Sequence, residues 1–168
     1  MTWLTATSLR LGWAVAVCVF VVDQAHKWWM LLGYRIAEKG RVAVTPFLDL
    51  VYVVNPGVSY SLFPQSDRRG QYMLSAFAVL AALALSVWLV RGAVNRLLAA
   101  SIGLIIGGAL GNALDRILIG GVADFFSLHA FGFYWYVFNI ADVAIVAGVV
   151  GLLYDSYWPS RGAATKST

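Results

Sequence analysis

LLAASIGLIIGGALGNALDRI, residues 97–117, decides how the rest of the sequence is read. It carries no charge before Asp115, and its length suits a helix crossing a hydrocarbon core of about 30 Å, which takes about 20 residues. Yet it ends by placing Asn112, Asp115 and Arg116 within about one helical turn of each other. An ionisable group inside a span costs about 2.5–3.5 kcal/mol even on a lenient insertion scale, so such an ending is a functional candidate by default. Gly103, Gly107 and Gly111 recur every four residues with Gly108 beside them, a smooth strip that a second helix backbone can approach closely. Ala144 and Gly148 make a similar strip nearer the C-terminus. The expectation is that these two helices pack on each other and hold their polar ends together.

The whole chain has the same character. Of its 168 residues 61% are hydrophobic and 12% charged, against about 45–50% and about 25% in soluble domains. Three further stretches, roughly 9–29, 71–90 and 138–158, are long and apolar enough to span, so an all-α integral-membrane fold of four helices is expected. Residues 11–22 have the look of a signal-peptide core, but no small-x-small cleavage site precedes Asp23, and the segment is read as a retained first span. The net charge of +4 is diffuse, with no basic run longer than Arg68-Arg69, which argues against a nucleic-acid partner and for orientation of the spans. The short connection 91–96 carries Arg91 and Arg96, whereas 118–137 has neither Lys nor Arg. The positive-inside bias then puts 91–96 and both termini in the cytoplasm and 118–137 outside. The segment 30–70 must also lie outside, against the tendency of its Arg35, Lys39, Arg41, Arg68 and Arg69. Cys18 is the single cysteine, so neither an intramolecular disulfide nor a cysteine metal cluster is available.

Within 30–70, FLDLVYVV (47–54) and VSYSLF (58–63) flank Asn55-Pro56-Gly57. Pro followed by Gly suits the centre of a type II turn, so a hairpin or small sheet is expected as a cap on the outer membrane surface. With no repeat and only a short polar tail, the sequence describes one integral-membrane domain, 1–168, with 118–137 as an outer loop.

The costly polar residues share an address. Asp23 and Lys27 close the first span, Asn112, Asp115 and Arg116 close the third, Asn139 and Asp142 open the fourth, and Asp124 lies in the loop between them. Asp23 and Lys27, spaced i,i+4, form an ion pair along one face, and Arg116 beside Asp115 reads as a charge-compensated helix end. Asp124 and Asp142 have no cation within several residues. Asn139 shares a face with Asp142, although Asn early in a helix is also an ordinary cap. No HExxH, G-x-S-x-G or phosphate-binding glycine loop occurs, and His26 and His129 are solitary, so no metal or other cofactor is expected. A Ser-Lys dyad of Ser59 or Ser61 with Lys27 has nothing in its spacing to favour it. Two carboxylates in a partly desolvated site hold their protons unequally, one neutral and one ionised, which is the chemistry of aspartic proteases. A cation path through Asp23, Asp115 and Asp142 is the alternative, weakened because the inner halves of the spans carry no polar residues. A scaffold subunit without chemistry explains the small-residue strips but not four gathered acids.

At these residues the chain resembles the lipoprotein signal peptidases (signal peptidase II), four-span aspartyl proteases of bacterial cytoplasmic membranes. The resemblance runs in order through VVDQAHKWW (21–29), NPGVSYSLF (55–63), GGALGNALDRI (107–117), VADFF (122–126) and FNIADVAI (138–145). It departs from the family at Val58, Ser59 and Tyr60, where small residues or Phe are usual. It implies that Asp124 and Asp142 are the catalytic pair. It implies too that Asp23, Asn55, Asn112, Arg116 and Asn139, with Lys27 and Gly57 beside them, orient substrate or support the pair, with Asp115 structural. The implied reaction removes the signal peptide from diacylglyceryl-modified prolipoproteins by cleavage before the lipidated cysteine. Membrane lipid as surroundings, globomycin-type cyclic peptides as inhibitors and a monomeric state complete the expectation.

Overall fold

The computed structural model describes residues 3–57, 67–92 and 94–157. Helix α1 (Trp3–Trp28) continues through a wider π turn, Trp29–Gly33, into a single turn α2 (Ile36–Lys39). Strands β1 (Val42–Thr45) and β2 (Leu48–Asn55) precede helices α3 (Arg68–Arg91) and α4 (Arg96–Ile119). Strands β3 (Val122–Ala130) and β4 (Phe133–Phe138) then lead into α5 (Ile140–Tyr157). Four helical segments are long and apolar enough to cross a membrane: Ala6–Gly33, Arg68–Arg91, Arg96–Ile119 and Ile140–Tyr157.

Local chemistry sets the ends of these helices. Asp67 caps α3 by accepting from the Gly70 N–H at 3.1 Å, and Asn95 caps α4 by accepting from the Leu98 N–H at 2.9 Å. Gly120 stops α4 in the left-handed region at φ 79°, a conformation that glycine adopts without a Cβ penalty. α4 is the hub of the bundle, with 56% of its apolar window buried against 22% or less in the other three helices. Its glycines explain how neighbours come so close. A Cβ on Gly107 would lie 2.5 Å from the Ala16 carbonyl oxygen of α1, and one on Gly108 would lie 2.6 Å from the Ala141 carbonyl oxygen of α5. The Gly103-Gly107-Gly111 strip therefore chiefly receives α1, while the expected packing of the last span on α4 is made through Gly108 and through Gly148, where a Cβ would lie 2.7 Å from the Ser101 carbonyl oxygen. Gly108, about 100° round the helix from Gly107, faces α5, and a Cβ on Gly111 would touch both Asp23 of α1 and Ala141 of α5.

The cap is a four-stranded antiparallel sheet in the order β1-β2-β3-β4. Its central pairing sets Asn55 against Val122, Val54 against Ala123 and Val53 against Asp124. Residues 118–137 are thus not an irregular outer loop: β3 and most of β4 fall within them and extend the sheet of β1 and β2. The β3–β4 turn uses Phe131 and Gly132 at φ 51° and 81°, the paired positive φ of a tight two-residue hairpin. The partner that begins β2's hairpin is β1, through Val42 and Leu50. VSYSLF lies outside the described residues. Met30, Ile36, Ala123 and Phe125 form a small buried cluster that fixes the sheet to the end of α1. This attachment brings β3 over the polar ends of the helices.

Candidate active site

Asp23, Lys27, Asn112, Asp115, Arg116, Asp124, Asn139 and Asp142, dispersed over 120 residues, meet where α1, α4 and α5 reach the sheet. Lys27, only 2% exposed, is the organising cation. Its Nζ lies 2.8 Å from Asp23 Oδ2 and 2.7 Å from Asp115 Oδ2, and donates to Asn112 Oδ1 at 3.1 Å. The expected i,i+4 pair with Asp23 is present. The expected Asp115–Arg116 compensation is not: consecutive helical residues point about 100° apart, so Asp115 turns toward Lys27. Arg116 instead donates to the Gly57 carbonyl at 2.9 Å and the Asn112 carbonyl at 3.2 Å.

The same acids also tie helices and sheet together. Asp23 Oδ1 accepts the Ala141 N–H at 2.9 Å, satisfying a free donor in the first turn of α5, and Asp115 Oδ2 accepts the Ala123 N–H of β3 at 3.1 Å. Gln24 is a further member of the site, one that the pattern of charges does not mark. Its amide donates to Asp115 Oδ1 at 3.0 Å, to Asp23 Oδ2 at 3.2 Å and to the Gly111 carbonyl at 3.2 Å. A polar side chain next to Asp23 inside an apolar span was the available signal.

Asp124 and Asp142 are surrounded differently. Asp124, 1% exposed on β3, accepts from Asn139 Nδ2 at 2.6 Å and from Asn55 Nδ2 at 3.2 Å. Asp142, partly exposed, accepts from Asn112 Nδ2 at 2.8 Å and from the Asn139 N–H at 3.3 Å. Asn139 Oδ1 in turn accepts the Asp142 N–H at 2.9 Å, so these two residues cap α5 reciprocally. Asn55 is itself held by the turn after β2, its Oδ1 accepting the Gly57 N–H at 3.0 Å. Burial first, and then the nearby Asp142 carboxylate, push the Asp124 carboxyl up to about 7 against the opposing pull of the Asn139 and Asn55 amides.

A cavity of about 310 Å³ opens onto Asp142, Asn112 and Arg116 and is walled by Leu74, Phe77 and Ala81 of α3 and Ile145 of α5. An apolar, partly enclosed space ending on a carboxylate, an amide and a guanidinium suits a substrate that is mostly hydrocarbon with one polar link.

Fold and site together define a polytopic membrane protein with an acidic centre where its helices meet a surface sheet. Residues 15–158 match the family model described as signal peptidase (SPase) II. The lipoprotein signal peptidase of Methylocella silvestris is 48% identical over 155 residues, covering 92% of this chain and 90% of its own. That of Beijerinckia indica is 50% identical over 147 residues, covering 88% and 87%. A bacterial membrane enzyme solved by the in meso method at 1.9 Å superposes with a TM-score of 0.72 at 26% identity, over 92% of this chain and 95% of that one. The chain belongs to the signal peptidase II family and is a membrane-embedded peptidase. Membership in a peptidase family sets aside the transporter and scaffold alternatives.

Proposed function

We propose that Asp124 and Asp142 are the catalytic pair of an aspartic endopeptidase, which cleaves diacylglyceryl-modified prolipoproteins immediately before the lipidated cysteine. One observation carries the assignment. Of the four gathered acids, Asp23 and Asp115 are ion-paired to Lys27, whereas among the described residues Asp124 and Asp142 are hydrogen-bonded by amide N–H groups and by no cation. A carboxylate beside a cation stays ionised; amide donors leave a pair free to share a proton.

Asp124, whose carboxyl is raised to about 7, carries the shared proton in the active form, and Asp142, the member that lines the cavity, acts there as the carboxylate. Because Asn139 and Asn55 only donate to Asp124, its proton occupies a lone pair directed away from both amides. Asp142 takes a proton from a water molecule as the water oxygen attacks the peptide carbonyl carbon, and Asp124 gives its proton to the carbonyl oxygen. Collapse of the tetrahedral intermediate breaks the C–N bond, the proton taken by Asp142 leaves on the amine, and a hydroxyl proton of the intermediate returns to Asp124 as the C=O bond re-forms. Arg116, Asn112 and Gly57 border the cavity where the scissile segment lies. Asp23, Lys27, Asp115, Asn55 and Asn139 support the pair from behind.

The charge contrast between 91–96 and 118–137 supports cytoplasmic termini, with cap and site at the outer face of the cytoplasmic membrane. There a lipidated cysteine is anchored at headgroup depth. The enzyme acts as a single-domain monomer, and a cyclic peptide of the globomycin type competes for the same cavity. The test uses purified Asp124→Asn and Asp142→Asn proteins with a lipidated prolipoprotein. Each substitution keeps shape and removes ionisation, so folding persists and cleavage disappears. Cleavage near the wild-type rate by either variant ends the assignment.

A further inference from the structure

We infer that Lys27 is a positioning residue that fixes which way the Asn112 amide points and thereby keeps a hydrogen-bond donor on Asp142. The inference rests on Asp124 and Asp142 being the catalytic pair. It gives Lys27 a task beyond neutralising Asp23 and Asp115.

A lysine ammonium donates and cannot accept. The Asn112 atom lying 3.1 Å from Lys27 Nζ must therefore be its carbonyl oxygen, which sends its NH₂ toward Asp142 Oδ1, 2.8 Å away. Asn139 is constrained in the same sense. Its Oδ1 accepts the Asp142 backbone N–H, so its NH₂ faces Asp124 Oδ1 at 2.6 Å and Asn112 Oδ1 at 3.2 Å. Turning Asn112 over would set its NH₂ against two donors, Lys27 and Asn139, and its oxygen against the Asp142 carboxylate. Lys27 is the one side chain in this chain of contacts that can only donate. Without it reversal is opposed by the Asp142 carboxylate and by the Asn139 amide, which already makes its shortest bond to Asp124.

Other charged or titratable groups lie about the pair and Lys27: Asp23 and His26 from α1, Asp115 and Arg116 from α4, Tyr52 from β2 and Tyr136 from β4. A test must therefore hold the charge of the cluster constant. The double variant Lys27→Met/Asp115→Asn does so, because a trio of two carboxylates and one ammonium and a lone carboxylate have the same net charge.

The measurement is kcat and KM against pH for the full-length enzyme on a lipidated prolipoprotein, per folded molecule. A hydrogen bond from a neutral amide to a carboxylate governs about a tenfold or larger factor in the double variant's kcat, whereas KM changes by less than about threefold because neither substituted side chain lines the cavity. Losing a donor to an ionised carboxylate raises its pKa, so the acid limb of the kcat profile moves up by about one unit. Lys27→Arg keeps the cation and donor-only character, and its acid limb stays within about 0.3 unit of wild type. A role confined to stability predicts a lower folded yield with kcat and acid limb unchanged in the folded fraction. That result, or an acid limb that moves in Lys27→Arg, overturns the inference; the arginine arm decides if the double variant does not fold. Asp124→Asn and Asp142→Asn in the same assay separate the two levels. If either cleaves, the catalytic pair is wrong; if both are inactive while the Lys27 variants keep the acid limb, only the positioning role is.

Discussion

The stability difference between wild type and Asp124→Asn should swing by about 3 kcal/mol between about pH 5 and pH 9. Asp124 is 1% exposed and its carboxyl sits at about 7 in the fold, against an ordinary value of 3.8. Below about pH 4 folded and unfolded chains both hold the proton. Between there and about 7 only the folded chain holds it, so each pH unit removes about 1.4 kcal/mol of stability, and above about 7 the loss is complete. Asparagine has no such slope. It carries a fixed penalty instead, because both Asp124 oxygens accept from amides and asparagine offers one acceptor, leaving the Asn139 or the Asn55 amide opposed to an NH₂. That mismatch costs about 1–3 kcal/mol at every pH. The variant is therefore the less stable protein at about pH 5, and the deficit shrinks or reverses by about pH 9. For a chain of this size the swing corresponds to about 6–12 °C in the difference of melting temperatures. Thermal unfolding in detergent, followed by the intrinsic fluorescence of the seven tryptophans, reads it directly. A melting-temperature difference constant to within about 2 °C across that range would refute the elevated carboxyl.

Gly107→Ala places a Cβ 2.5 Å from the Ala16 carbonyl oxygen and 2.8 Å from Val19 Cβ. Neither atom can swing away, so about 1–3 kcal/mol of stability should be lost, with a fall in activity because α1 carries Asp23 and Lys27. Gly132→Ala meets nothing within 4 Å, and its φ of 81° should cost about 1 kcal/mol while leaving kcat unchanged. A larger loss at Gly132 than at Gly107 on thermal unfolding would contradict the packing argument. Arg116→Ala removes donors to the Gly57 and Asn112 carbonyls and opens the cavity wall, so KM for the prolipoprotein should rise; an unchanged KM with normal folding counts against its place there. With Cys18 replaced, a cysteine at Phe131 should react with an impermeant reagent on intact spheroplasts and one at Arg91 should not, and the reverse pattern inverts the topology.

The four spans were legible because the membrane demands uniform apolarity over a fixed length, and composition alone reports that. The Asp23–Lys27 pair was legible because helix geometry fixes i,i+4 neighbours without tertiary knowledge. β3 and β4 were hidden by the same apolarity. In VADFFSLHAFGFYWYVF, residues 122–138, both faces carry large hydrophobic side chains, so the alternation that marks a half-solvated strand is missing. The hairpin turn was disguised as well, since the first of its two positive-φ positions is Phe131 where Asn or Asp is usual. The partners of Arg116 and Gln24 depend on how α1, α4 and the sheet are arranged, and spacing within one helix does not encode that. The glycine strip announced a close approach but not which helix makes it.

The division of labour among the four acids has a physical reason. One lysine serves both Asp23 and Asp115, each of which also accepts a backbone N–H that holds α5 or β3 in place. Removing Lys27 alone would leave two carboxylates facing each other in a buried site, a loss of about 3–5 kcal/mol. A second cation bound to Asp124 or Asp142 would lower the energetic cost of their burial, but it would fix both as carboxylates and leave no proton to share. Amide donors from Asn139, Asn55 and Asn112 stabilise the pair less and orient it as well, without dictating its charge. Arg116, the other buried cation of the cluster, is accordingly engaged by the Gly57 and Asn112 carbonyls and makes no salt bridge within 4 Å to either member among the described residues. If that restraint is what keeps the pair active, Asn139→Lys should abolish cleavage even where the protein folds and the new ammonium bonds Asp124. Retention of wild-type kcat by a folded Asn139→Lys enzyme would show that a cation is tolerated and that the exclusion has another cause.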